Sequence, residues 1–545
     1  MSGKRGAIRR REFLASIGQA AGSSAMLRTM AAMGIGTSLS ACGSSSASGS
    51  GATPPPTGNP PPPSLTRSPR PGDWPANVGA GKSVVILGAG IAGMTTALEM
   101  TRLGYACTIL EATPVAGGRN RTLRAGDTAI ETDSSQTCNF DTDPDLYFNA
   151  GPARIPHHHE FLLGYCREFG VALEPFINDN RAALLHSPTA FGGQPQIARR
   201  VLTDTRGNIA ALLASAINQG ALDMELSASD RTNVLAMLQS FGNLTGSFAY
   251  TGSDRAGFPG QENTGSRQRG DPLPPLDLAE LASETFFQLR ADFVESFNQQ
   301  ATMLQPVGGM DRIAQAFAAQ VAPDIEFEAE VTEIRKTANG ARVSYSDRLG
   351  APQTLDADYC VCTIPATVLR NISNDFSANY ATAIAAFNYA QSTKIAFQSR
   401  RFWEQDHNIY GGISWTNQNI TQLWYPSAGF GRNQGVIVGS YIFGGSAGTG
   451  FSNQSVQQRI ASTITQANAV HARFGTEVSR GISVAWPKVP FQLGGWGVSD
   501  PGILLTPDDS IFFAGEHLSI LQGWQEGAIL SAYHAIEGIV ARDSA

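Results

Sequence analysis

Two kinds of residue in this 545-residue chain are placed to do chemistry. One is an arginine set after a rigid turn; the other is a set of glycines that ends a buried strand. Arg154 follows Phe148-Asn149-Ala150-Gly151-Pro152-Ala153 and precedes Ile155-Pro156. Gly and Pro fix a turn that presents one guanidinium, which can grip a carboxylate through two parallel hydrogen bonds. Pairing with a core carboxylate is the other use open to it. Lys394 lies in the alternating run Ser392–Phe397, where a half-buried cation is costly unless it does something. An edge lysine pointing to solvent is the competing reading. The apolar run Ser83–Leu87 stops at Gly88-Ala89-Gly90-Ile91-Ala92-Gly93, and a helical pattern follows to Arg102. Gly88 permits the tight turn, Gly90 lets backbone approach a pyrophosphate, and Gly93 lets helix and strand pack closely. The new helix offers unpaired N–H groups and a positive dipole end to phosphates. A second strand, Ala106–Leu110, ends in Glu111, at the distance where an acidic residue meets ribose hydroxyls. The unit reads as a dinucleotide site.

After Glu111 and Ala112 comes Gly117-Gly118-Arg119-Asn120-Arg121-Thr122. The glycine pair allows tight backbone beside a flat or charged ligand, and Arg119 can neutralise phosphate. G-A-G-I-A-G, then L-E-A, then G-G-R-x-R-T resembles the flavin amine oxidase superfamily, closest to its L-amino-acid oxidases. The resemblance spans about residues 80 to 545 in six ordered motifs. It implies FAD rather than NAD. It also implies noncovalent binding, since no cysteine follows Cys362 where monoamine oxidases attach the cofactor. Cofactor contacts are expected from Gly88, Gly90, Ile91, Ala92, Gly93, Glu111, Ala112, Gly118 and Arg119. Gly151, Pro152, Ala153 and Arg154 would line the flavin, with Arg154 holding a substrate carboxylate. The backbone at Val331 would meet the adenine, and Glu516 the ribityl or phosphate side. Lys394 would face flavin N5 through a water, and Tyr425, preferred to Trp424, would assist the carboxylate. Gly523 and Trp524 would bind the amino group and wall the pocket, while the helix opening Gln525-Glu526-Gly527-Ala528 would face the ring. Some L-amino-acid oxidases place a substrate-contacting histidine in their helical region. No histidine lies between His186 and His407 here. Three adjacent histidines, His157 to His159, cannot all face one metal and read as helix start and surface.

The fold implied is α/β: a discontinuous Rossmann-type FAD-binding domain (80–130, 301–375, 501–545), an interleaved mixed-sheet substrate domain (131–195, 376–500) and a helical insertion (196–300). Residues 1–42 read as a twin-arginine export signal on Arg10-Arg11-Glu12-Phe13-Leu14. Leu39-Ser40-Ala41-Cys42 suggests a lipid anchor at Cys42, with simple cleavage nearby as the alternative. Residues 43–79 form a Gly/Ser- then Pro-rich tether. The mature protein would be periplasmic, cell-surface or secreted, its oligomeric state open and a homodimer included. A net charge of −7 argues against nucleic acid as a partner. Cys107, Cys138, Cys166, Cys360 and Cys362 are scattered, without disulfide-framework or metal-ligand spacing.

The function implied is oxidative deamination of L-amino acids, with apolar or aromatic side chains favoured by Trp524 and its neighbours. Dioxygen would be the second substrate, and a 2-oxo acid, ammonia and hydrogen peroxide the products. Three alternatives stand beside it: an exported amine oxidase using Arg154 structurally, a tryptophan-2-monooxygenase-like enzyme, and a tethered flavin-binding partner protein without catalysis.

Overall fold

Ser83-Val84-Val85-Ile86-Leu87 shows no polar alternation because both of its faces are covered. It forms strand β1 (Ser83–Leu87), followed by helix α1 (Ile91–Arg102) and strand β2 (Ala106–Glu111). β1 is the centre of a five-stranded sheet in the order Ile325–Phe327, β2, β1, Tyr359–Cys362, Ile511–Phe513, and every pairing is parallel. Val84, Ile86 and Val361 pack against α1 and the C-terminal helix Gln525–Asp543. Val85, Leu87, Cys360 and Cys362 pack on the other face, against Ile334 and Val343 of a four-stranded sheet. A parallel sheet covered on both faces calls for such apolar runs. Its strands come from three separated stretches of chain.

The computed structural model describes residues 70–258, 272–283 and 293–544, all within one unit, Pro69–Ala545. The export signal, Cys42, most of the tether and the middle of the Tyr250–Pro275 loop lie outside the described residues. Among the described residues no helix is long and apolar enough to cross a membrane, and all five cysteines are free thiols.

A second, seven-stranded sheet runs Gln196–Ile197, Leu184–His186, Ile413–Thr416, Gln422–Trp424, Gln434–Ile442, Thr393–Arg400, Val478–Ala485. One pairing in it is parallel and the rest are antiparallel. Lys394 stands opposite Tyr441 on one side and Val484 on the other. Its strand is internal and buried along nearly its whole length, so the edge-lysine reading fails.

Two local readings of the sequence need correction. The alternation from Asp324 to Ile334 predicts one strand, but the structure has two, in different sheets, Ile325–Phe327 and Glu330–Thr337. Glu328 adopts a left-handed conformation between them (φ 57°). The break lets Ala329 N donate to Glu111 O at 2.9 Å, which brings Val331 to the end of β2. The apolar spacing over Asn208–Ile217 predicts a helix there, but the helix starts at Ala198 and runs to Asn218, packed on Ala228–Gly242. Asp204 on its buried face obscured the apolar period. That carboxylate accepts from Tyr250 Oη at 2.5 Å and from Leu276 N at 2.9 Å.

Candidate active site

A cavity of about 500 Å³ opens at the carboxyl ends of the parallel strands, where Gly88, Glu111, Thr363 and Gly515 all line it. That is where open α/β sheets bind ligands. Gly90, Ile91 and Ala92 line it at the start of α1, whose terminal N–H groups have no side-chain cap. Gly93 does not line it. A Cβ there would lie 2.0 Å from Gly88 O, so its role is helix–strand contact. Ala112, Gly118, Arg119 and Val331 complete this end. Glu111 accepts from Ala89 N at 2.7 Å through one oxygen, and from Thr113 N and Oγ1 at 3.0 and 2.7 Å through the other.

Arg119 Nη1 donates to Glu516 Oε1 at 2.6 Å and to Gly495 O at 2.9 Å. Glu516 also accepts from Gly497 N at 3.2 Å and Gly523 N at 2.7 Å. Burial works against the Glu516 charge, but Arg119, His517 and the Gly523 N–H outweigh it and hold the carboxyl below its usual range. Nε and Nη2 of Arg119 keep no partner among the described residues.

At the other end Gly151, Pro152, Lys394, Tyr441, Gly523 and Trp524 line the cavity, and Gln525 and Ala528 follow on the last helix. Gly151 lies against the Arg119–Arg121 backbone so closely that a Cβ would sit 1.8 Å from Arg119 O. Glu526 and Gly527 are turned from the cavity by the helical period. Glu526 instead accepts from Phe161 N at 3.1 Å and Leu162 N at 2.8 Å, capping helix Glu160–Glu168.

Lys394 is 2% exposed, and its Nζ donates to Asn149 O at 3.0 Å and to Gly151 O. The amine lies 4.2 Å from the Tyr441 ring centre. Burial, reinforced by the nearby Arg154 charge, drives its pKa well below the usual lysine range. Arg154 is 8% exposed, and its Nε donates to Gln299 Oε1 at 3.1 Å. Its guanidinium carbon lies 4.6 Å from the Trp424 ring centre, 5.5 Å from Phe293 and 5.7 Å from Trp524. Burial pushes its pKa down to about 10, with Tyr441 opposing the shift. No described carboxylate pairs with it. Arg154 is not among the residues lining the cavity, but Trp524 and Tyr441, which are, neighbour its guanidinium. Ala153 lines a smaller space, about 60 Å³, that Lys394, Trp424 and Tyr441 also border.

Tyr425 is not on the Arg154 side by its hydroxyl. Trp424 and Tyr425 point to opposite faces as neighbours in extended chain do, and it is Trp424 that meets Arg154. The Tyr425 hydroxyl bonds Ser414 Oγ at 2.6 Å and His471 Nε2 at 2.7 Å, in the core behind the sheet. The histidine run leads into helix Glu160–Glu168 as read, but it is not all surface. His157 is exposed, but His159 is 1% exposed, its ring edge-on to Trp524 at 5.1 Å, and burial lowers its pKa to about 3.

The family described as flavin containing amine oxidoreductase matches residues 91–539. The chain belongs to that family. It is 27% identical over 478 residues to the protein YobN of Bacillus subtilis (strain 168), covering 83% of this chain and 93% of the other. It is 26% identical over 508 residues to the flavin-dependent L-tryptophan oxidase RebO of Lentzea aerocolonigenes (85% and 98% covered). It is 25% identical over 481 residues to the L-amino-acid oxidase of Echis ocellatus (84% and 89%). Among solved structures, cyclohexylamine oxidase from Brevibacterium oxydans IH-35A shares the fold with a TM-score of 0.54 at 16% identity, covering 85% of this chain and 100% of that one.

The residues present fit the flavin that this amine oxidoreductase family carries. The uncapped start of α1 and the free Arg119 donors suit phosphates. The buried amide atoms Asn120 Oδ1 and Gln525 Nε2, with no described partner, border the same space. Sequence reasoning missed Asn120, Tyr441, Trp486 and Trp496, which all line the cavity. For Tyr441 a signal existed. It is the strand residue opposite Lys394, and cross-strand neighbours share a face.

Proposed function

We propose that this flavin-dependent oxidoreductase is an amino-acid oxidase using noncovalently bound FAD. Its substrates are L-amino acids, with apolar or aromatic side chains preferred, and its products 2-oxo acids, ammonia and hydrogen peroxide. One observation carries the reading: two buried basic side chains, Arg154 and Lys394, stand together with no described carboxylate beside either. A ligand that brings an anion completes that arrangement, and an amino acid does so where a simple amine does not. The L-amino-acid oxidase and L-tryptophan oxidase names among the relatives support it.

The bound flavin would accept two electrons from the substrate and pass them to dioxygen. Arg154 supplies the fork for the carboxylate, its Nε held by Gln299 and its plane kept among aromatic rings. Fixing that one group orients the neighbouring carbon for reaction. The Tyr441 hydroxyl has no partner among the described residues and is free to add a second donor, replacing Tyr425 in that role. Lys394, whose pKa burial and the Arg154 charge drive well below the usual lysine range, donates to the Asn149 and Gly151 carbonyls. Trp524, Trp496 and Tyr441 exclude bulk water and favour an apolar side chain.

Anaerobic mixing of the yellow protein with L-phenylalanine, and separately with phenethylamine, tests this directly. Bleaching by the amino acid alone is expected. Bleaching by the amine at an equal or greater rate would remove the carboxylate from the argument and leave an amine oxidase.

A further inference from the structure

Asn120 and Gln525 stand side by side in the cavity wall, Asn120 Nδ2 donating to Gln525 Oε1 at 3.1 Å. They are 5% and 8% exposed. Asn120 Oδ1 and Gln525 Nε2 have no hydrogen-bond partner among the described residues. Exchanging oxygen and nitrogen in both amides changes nothing in the count: one bond joins them, and one acceptor and one donor stay free. Buried polar groups are rarely left so, and two apolar side chains would fill the space without the penalty. A ligand that returns both bonds accounts for the pair.

The position narrows what that ligand presents. Phosphates are provided for elsewhere, by Arg119 and the start of α1. Asn120 sits between Arg119 and Arg121, whose backbone packs on Gly151, and the Gly151 carbonyl holds Lys394. Gln525 is the first residue of the 19-residue C-terminal helix and directly follows Trp524. The pair therefore belongs to the aromatic, lysine end of the cavity. A neutral donor next to a neutral acceptor matches a group carrying N–H and C=O on adjacent atoms. The imide edge of an isoalloxazine ring is such a group; at this end of the cavity, away from the adenosine, the ribityl hydroxyls are the other part of the cofactor that both donates and accepts.

We propose that Asn120 and Gln525 form a hydrogen-bonding clamp on the imide edge of the flavin ring and raise its reduction potential. The inference rests on flavin occupying this cavity, as proposed above. Gln525 Nε2, with the N–H groups of the helix start beside it, donates to a ring carbonyl that gains electron density on reduction, so the reduced ring is held more tightly than the oxidised one. Asn120 positions Gln525 through their mutual bond and accepts the ring N–H.

Flavin-loaded protein carrying Gln525→Leu, Asn120→Leu or Asn120→Asp tests the clamp, with two readouts: the potential of the bound flavin against reference dyes, and the FAD dissociation constant of the reconstituted apoprotein. Gln525→Leu should lower the preference for reduced over oxidised flavin about tenfold, which is about 30 mV for a two-electron couple. It should also weaken FAD binding about tenfold. Asn120→Asp places a carboxylate against the ring and should lower the potential further. Should either Leu variant fail to fold, Gln525→Glu keeps the shape and replaces the donor with a carboxylate, and a drop at least as large is expected. An unchanged potential in variants that keep FAD overturns the clamp. A weaker affinity with an unchanged potential assigns the contact to the ribityl chain and overturns it equally. Unsubstituted protein that holds no flavin would instead defeat the functional reading on which it rests.

Discussion

The two ends of the cavity treat charge in opposite ways. At the nucleotide end the buried charges are already answered: Glu516 by Arg119 and two backbone N–H groups, Glu111 by Ala89 and Thr113. At the ring end Arg154 has one neutral partner and Lys394 two carbonyls, and the Arg154 charge works against that of Lys394. Burial acts at both ends, yet the charged form of Glu516 is favoured while that of Lys394 is disfavoured. The difference lies in the presence of a counter-charge. A self-satisfied end keeps its shape before any ligand arrives, whereas an end with excess positive charge is complete only with an anion in it.

Removing Arg154 should break that comparison most visibly. Arg154→Met deletes the fork for a buried carboxylate, an interaction costing about 3–5 kcal/mol to lose. kcat/KM for amino acids should fall by a factor on the order of several hundred, and that for the matching amines by no more than a few-fold. The same substitution should raise the melting temperature of the substrate-free protein, because an uncompensated buried cation is gone. Equal losses on both substrates would make Arg154 a structural residue. Its charge also sets a pH limit. Protonated Arg154 grips a carboxylate and deprotonated Arg154 cannot. With its pKa near 10, the advantage of amino acid over amine should shrink as pH rises past that value.

Glu516→Gln makes the opposite end resemble the ring end, leaving Arg119 with no anion. Both side chains are mostly buried, and breaking such a pair costs about 3 kcal/mol. Thermal melts should show the loss together with weaker flavin retention. The carboxyl's folded pKa lies below its ordinary 4.5. Its contribution is therefore complete above pH 4.5 and fades as pH falls through the folded value. Below pH 4.5 the unsubstituted protein should lose stability faster than the Gln variant, until the two converge. Parallel curves through that range would show that the pair contributes nothing to the fold.

The two ends were not equally legible in the sequence. The nucleotide end is built from backbone at fixed spacing, so Gly88, Gly90, Glu111 and Gly118 announce it through local rules of turn and strand. The five parallel strands follow from unbroken apolar runs such as Ser83–Leu87. The ring end is assembled by side chains from strands distant in sequence, and there a shift of one residue changes the face. That is why Trp424 meets Arg154 and Tyr425 does not, and why Tyr441 went unseen until strand register put it opposite Lys394. Asn120 hid inside the G-G-R motif, where its neighbours drew the attention. Glu526 shows the converse limit. It sits in the right motif, but the helical period turns it to cap another helix.

The smallest expected effect sharpens the contrast between the two tyrosines, and its value is that the outcomes cross. Tyr441→Phe removes a hydroxyl with no described partner from the cavity wall, so folding stability should change little. The amino acid loses one donor worth about 1 kcal/mol, and its kcat/KM should fall about fivefold with the amine's unchanged. Tyr425→Phe removes a hydroxyl that Ser414 and His471 both use in the core. Stability should fall by about 1–2 kcal/mol as those buried groups lose their partner, with kinetics on either substrate intact. Denaturant melts and steady-state assays on both variants decide it. If Tyr425→Phe instead costs amino-acid turnover and Tyr441→Phe does not, the carboxylate lies on the far face of the Gln422–Trp424 strand, and the unpaired charge of Arg154 needs another explanation.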